Sequence, residues 1–171
     1  MKSGQNFGIL YILLVICQVI MSTYTHLGPY IMLSMLPAMV LCIPTGIKTS
    51  VCMLMAFGSG LAVDWLSEGL IGLNVAALLP VALLRKGIIR IFLGEDIINR
   101  NDTFSIRKNG LGKVSLALFT SLIIFLATHI FLDGAGTRPL WFSLTRFGIS
   151  LACNYLLGIL VIHILTPDDR K

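Results

Sequence analysis

Residues 49–84 read TSVCMLMAFGSGLAVDWLSEGLIGLNVAALLPVALL, and the fold follows from how this stretch divides. Thr49 to Leu66 is one run of apolar and small residues and Leu70 to Leu84 is a second. Only Ser67, Glu68 and Gly69 lie between them. A helix that crosses the hydrocarbon core of a bilayer needs about 20 mostly apolar residues. Two such blocks joined so tightly must run antiparallel, as a transmembrane hairpin. Its second arm is short, roughly 22 Å at 1.5 Å per residue, and the stems of Arg85 and Lys86 can snorkel to lengthen it.

The same pattern extends in both directions. Spans are expected over about 7–23, 30–43, 49–66, 70–84, 114–132 and 140–165. The chain has 171 residues, 56% of them hydrophobic and 12% charged, with a mean hydropathy of +0.90. Soluble domains carry about 25% charged residues. Lys2 followed by Phe7 to Met21 looks like a signal peptide, but no small-x-small cleavage site follows, so the block reads as the first span. Between the fourth and fifth blocks, Gly87 to Leu93 is apolar but basic and suits a helix lying in the interface, and Gly94 to Lys113 is polar. No internal repeat or low-complexity tract is present. The expected fold is an all-α integral membrane protein, a six-transmembrane-helix bundle forming one domain.

Charge gives the orientation. The formal net charge of +5 would suit nucleic acid if the basic residues shared a soluble face. They lie between hydrophobic blocks instead, where they set topology and meet lipid heads. With the N-terminus inside, the inner side carries eleven lysines and arginines, and the outer side only Arg138 and Arg146. Both termini are therefore expected in the cytoplasm, with membrane lipids and not nucleic acid as the partner of the basic loops. Cys17, Cys42, Cys52 and Cys153 fall inside hydrophobic blocks without a CxxC spacing, which fits apolar filler better than zinc or disulfides.

An ionisable residue at the centre of a span costs about 2.5–3.5 kcal/mol on insertion scales and less near an interface. Asp64 stands near the outer end of the third span. A carboxylate there either locks the hairpin, faces a partner or is simply wetted at the surface, and the first two are preferred here. Asn74 opens the fourth span on the same side, within reach of Asp64. Arg146 lies about seven residues into the sixth span, roughly 10 Å deep. It needs a carboxylate or an outward path. Asp64 and Asp133 are at matching depth, and an Asp64–Arg146 contact is expected. Gly58, Gly60 and Ala62, and Gly148 with Ala152, place small residues at helical spacing where helices can approach closely. Pro37 and Pro80 are expected to kink their spans. Tyr24, Tyr30, Trp65, Trp141 and Phe142 fall at span ends, as an interfacial belt does. His26, His129 and His163 are too scattered for a metal site. No HExxH, GxSxG, P-loop or acidic cluster is present, so neither catalysis nor a bound cofactor is expected.

Gly58-Ser59-Gly60-Leu61-Ala62-Val63-Asp64-Trp65-Leu66-Ser67, followed by Gly72-Leu73-Asn74-Val75-Ala76-Ala77, resembles the rod shape-determining MreD family. That family has a glycine-rich span ending in a Gly-Leu-x-x-Asp-like motif, a brief loop and a Leu-Gly-x-x-Ala-type start to the next span. Gln18-Val19 and His26-Leu27-Gly28 are similar to one branch of it. The resemblance implies a non-catalytic subunit of the cell-elongation machinery in the bacterial inner membrane. Its implied partners are MreC, the actin-like MreB, and the peptidoglycan polymerase and transpeptidase. It also implies a fold similar to the S components of energy-coupling-factor vitamin transporters. Asp64, Asn74, Gly60 and Gly72, with Arg146, are the structural or partner-binding candidates, and no catalytic residue carries over. The alternative is an S component itself. Those dock through an Ala-x-x-x-Ala face on the first span, and Phe7 to Thr23 contains no alanine. A lipid-modifying enzyme lacks its acidic and histidine cluster.

Overall fold

In the computed structural model the described residues are 3–24, 31–68, 72–95, 97, 104, 109–134 and 139–165. They form six α-helices: α1 (Ser3–Tyr24), α2 (Leu36–Cys42), α3 (Thr49–Val63), α4 (Leu73–Leu93), α5 (Leu111–Gly134) and α6 (Leu140–Leu165). A π-helical turn, Asp64–Glu68, continues α3. No strand occurs among the described residues. The polar turns at 25–30 and 135–138, the loop residues Arg100, Arg107 and Lys108, and the charged tail lie outside them.

Four helical stretches are long and apolar enough to cross a membrane: Phe7–Tyr24, Thr49–Ser67, Leu111–Gly134 and Leu140–Leu165. Their outer faces are as apolar as their inner ones. Ile9, Ile12, Leu13 and Ile16 of α1 are exposed, as are Leu116 and Phe131 of α5 and Leu144 and Leu156 of α6. Helices that are hydrophobic all round belong in lipid, and this surface would be an aggregation site in water. The side chains that α1 turns inward, Tyr11, Leu14 and Gln18, recur at helical spacing.

The second hydrophobic block departs from expectation. It is not a continuous spanning helix over 30–43. Residues 31–35 are not helical, and α2 has only seven residues, about 10 Å of helix. Pro37 does not kink this helix. It occupies the first turn, where its missing N–H costs nothing, and it biases Leu36 away from continuing a helix upstream. Pro44 follows shortly after the end. All seven residues of α2 are buried, and α2 touches each of the other five helices. The short helix is the axle of the bundle, with α4 packed most extensively on α5 and α3 around it.

The fourth block also differs. α4 passes through Pro80 and Gly87 without a break and absorbs the segment expected to lie in the interface. The cause is burial: Arg85, Ile88, Ile89 and Leu93 continue the inward stripe begun by Leu78, Val81 and Ala82. Its 21 residues reach about 31 Å. Cys42 and Cys52 are buried filler, Cys153 is half-buried and Cys17 is exposed.

Candidate functional site: the Asp64 hairpin

Asp64 ends α3 and is completely buried. Its Oδ2 accepts the backbone N–H of Gly72 at 2.9 Å and of Val75 at 3.3 Å. Its Oδ1 accepts both the backbone N–H and the side-chain amide of Asn74, each at 2.9 Å. The first N–H groups of a helix have no partner within the helix. In α4 they are met by a carboxylate delivered from the preceding helix. The negative charge also sits at the positive end of the α4 dipole. This answers how an acid can be fully buried here: hydrogen bonds to a charged group each contribute about 1.5–3 kcal/mol.

Two glycines make that approach possible. Gly72, the N-cap of α4, has φ of 106° and no side chain to cap with. A side chain there would be strained. Gly60 lies one turn before Asp64 on the same face of α3. A Cβ on Gly60 would stand 3.0 Å from both N and Cα of Val75, so the two backbones are already in contact. Gly60 brings the helices together and Asp64 joins them. The sequence candidates Gly60, Asp64, Gly72 and Asn74 thus converge on one joint.

Arg146 does not belong to it. The expected Asp64–Arg146 contact is absent; Arg146 Nη1 donates instead to Asp133 Oδ2 across the α5–α6 hairpin. Asp64 already serves four donors, whereas Asp133 ends α5 directly opposite the first turns of α6. Behind this pair His129 is buried, stacked obliquely on Phe125 with ring centroids 5.8 Å apart. It lies within electrostatic range of Arg146, Asp133 and Asp64. Neither ring nitrogen has a hydrogen-bond partner among the described residues.

A second polar set holds the non-helical residues before α2. Gln18 of α1 grips one side, accepting from the Met35 N–H at 2.7 Å and donating to the Leu33 carbonyl at 3.2 Å. Asn154 of α6 grips the other, accepting from the Ser34 N–H at 2.6 Å and donating to the Met32 carbonyl at 2.7 Å. Ser150 accepts from the Met32 N–H at 3.0 Å. Non-helical backbone at membrane depth is tolerated only where protein satisfies it, and three side chains do so here. Sequence reasoning missed Ser150 and Asn154 and used Gln18 only for the resemblance. Uncharged amides in the middle of apolar runs were the available signal.

At the far end of α2, Arg85 of α4 is buried, its Nε 3.4 Å from the Leu41 carbonyl. A cation at a helix C-terminus is favourable, although Arg85 Nη2 has no partner among the described residues. No group of three or more potential metal ligands occurs among the described residues. Asp64, Gln18, Ser150, Asn154 and Arg85 have in common that they hold backbone at helix ends and at the break.

The fold and this joint define a helical bundle with the character of a membrane protein. No protein-family model, curated protein or solved structure matches the chain.

Proposed function

We propose that this protein is a non-catalytic subunit of the cell-elongation machinery of the bacterial inner membrane, of the MreD type. It would work beside MreC, MreB and the peptidoglycan polymerase and transpeptidase. One observation carries the reading. The carboxylate at the heart of the resembling motif, Asp64, fastens α3 to α4, which supports reading the motif as a structural joint of a scaffold subunit. The apolar outer faces of α1, α5 and α6 support the membrane-embedded setting this role requires. In this reading the bundle crosses the membrane with both termini in the cytoplasm, its Asp64 end outward. The second block is a broken crossing, and the fold is of the S-component kind.

Depletion in a rod-shaped bacterium tests the proposal. Cells should round up, and the protein purified in mild detergent should bring down a single-span partner with a large periplasmic part. Cells that stay rod-shaped, or a stoichiometric small molecule bound together with an ATPase module, would overturn it in favour of a transporter component.

A further inference from the structure

Five buried side-chain nitrogen or oxygen atoms have no hydrogen-bond partner among the described residues, and three of them belong to one place. They are Nδ1 and Nε2 of His129 and Nε of Arg146. Asp133 lies one turn beyond His129 on the same face of α5 and accepts from Arg146 Nη1. Arg146, Asp133 and Asp64 all act electrostatically on the imidazole. The charged groups that face His129 thus come from α6, from α5 itself and from the end of α3.

An imidazole uses both ring nitrogens in any charge state, as one donor and one acceptor when neutral and as two donors when charged. Buried polar groups of this kind are met by protein or by ordered water. The Asp64 carboxylate is committed to the start of α4, where it accepts from four donors. Phe125, stacked obliquely on the ring, offers no lone pair. A buried water makes about three hydrogen bonds to polar groups that would otherwise be unmet.

We propose that His129 and Arg146 form an internal water-binding site at the Asp64 end of the bundle. One water accepts the Arg146 Nε–H and exchanges a hydrogen bond with one ring nitrogen of His129, and a second water meets the other ring nitrogen. The way in is along the Asp133–Arg146 pair, whose side chains are each 15% exposed, while His129 behind them is 2% exposed. Charge selects water over an ion. Asp133 already matches Arg146, and Asp64 is met by its own donors, so the site calls for a neutral molecule that can both donate and accept. No group of three potential metal ligands occurs there among the described residues. The water would tie the α5–α6 ion pair to the bundle interior, next to the α3–α4 joint.

His129→Phe tests the site, since it keeps a ring of similar size. Phenylalanine excludes the water and leaves the Arg146 Nε–H unmet, so the unfolding midpoint in detergent should fall by about 2–4 °C, the shift that one lost hydrogen bond gives a chain of this size. In an Arg146→Met background the same change should lower it less than half as far. A dry imidazole predicts the reverse, because an apolar ring in its place removes two unmet atoms. A midpoint that holds or rises overturns the proposal. Nitrogen-15 NMR reads the ring directly, in the full chain carrying His26→Gln and His163→Gln so that His129 is the sole histidine. In deuterated detergent the ring should show cross-peaks to water. A ring without water contact, or one bonded directly to the Asp64 or Asp133 carboxylate, overturns the proposal even if His129→Phe fails to fold.

Discussion

Asp64 and Asn74 are joined twice through a single carboxylate oxygen, by the Asn74 backbone N–H and by its side-chain amide, both at 2.9 Å. The second carboxylate oxygen holds Gly72 and Val75. One buried charge thus supplies the cap that Gly72 cannot. Asp64→Ala leaves three buried backbone donors unmet, at about 1–3 kcal/mol each. The expected loss is about 3–5 kcal/mol, the usual cost of breaking a buried charged contact. It should be read as a large drop in the unfolding midpoint in detergent. Asn74→Ala keeps the backbone bond and should cost only about 1 kcal/mol. Equal losses from the two variants would contradict the capping role.

The glycines of the bundle should separate into two classes. Gly72→Ala forces a side chain into φ of 106° and should cost about 1–2 kcal/mol. Gly60→Ala places a methyl group 3.0 Å from the Val75 backbone. Because backbone cannot swing aside as a side chain can, α3 and α4 must separate, and the loss should exceed that at Gly72. Gly148→Ala meets nothing and should raise stability by up to about 1 kcal/mol. Thermal unfolding of the three purified variants orders them.

Arg146 discriminates between its two candidate carboxylates. Double-mutant cycles with Arg146→Gln should give a coupling of about 1–3 kcal/mol with Asp133→Asn and close to zero with Asp64→Asn. A strong coupling to Asp64 would place the arginine on the wrong side of the α5–α6 hairpin.

How far the sequence could go is clearest at α2. Long apolar blocks announce lipid and helix, and three residues between blocks announce a hairpin. These cues led to the α3–α4 hairpin and to Asp64 and Asn74 facing each other across it, whereas Gly60 read only as a small packing residue and Gly72 came with the family resemblance. Hydropathy does not register whether an apolar block is helical, however, so the non-helical residues 31–35 are hidden inside the second block. What breaks that block is distributed across the chain, in Gln18 on one side and Ser150 and Asn154 on the other. Contacts of such sequence separation leave no local pattern. The same limit applies to Arg146, whose depth was legible while the choice of partner depended on how α5 faces α6. Arg85 and Gly87 to Leu93 were read by their charge, and burial against α2 and α5 overrode that reading.

The break before α2 yields its own prediction. Gln18→Leu and Asn154→Leu each remove both hydrogen bonds that one amide makes to the non-helical segment. Each leaves a donor and a carbonyl unmet, so each should cost about 2–4 kcal/mol. Ser150→Ala removes one acceptor and should cost about 1–2 kcal/mol. Hydrogen exchange at Met32, Ser34 and Met35 should accelerate in the leucine variants before α5 or α6 is affected. Unchanged protection there would mean that the segment is held by packing alone.

Arg85 leads to the opposite expectation. Arg85 is only 1% exposed, its contact with the Leu41 carbonyl is long at 3.4 Å, its other polar contact is with the weakly polar Cys52 thiol, and Nη2 has no partner among the described residues. The favourable dipole at the end of α2 contributes at most about 2 kcal/mol in a partly buried setting. Desolvating a charge costs several kcal/mol per ion. The balance favours replacing the guanidinium with apolar volume. Arg85→Met, which keeps the length of the stem, should leave stability unchanged or raise it by about 1–3 kcal/mol. Arg85→Lys should lower it, because the shorter, compact ammonium is more strongly hydrated and remains buried. The pair is checked by thermal unfolding in one detergent at one salt concentration. A loss of more than about 2 kcal/mol in Arg85→Met would show that the guanidinium is balanced by an anionic group, since only a partner left unpaired makes the removal of a buried cation so costly.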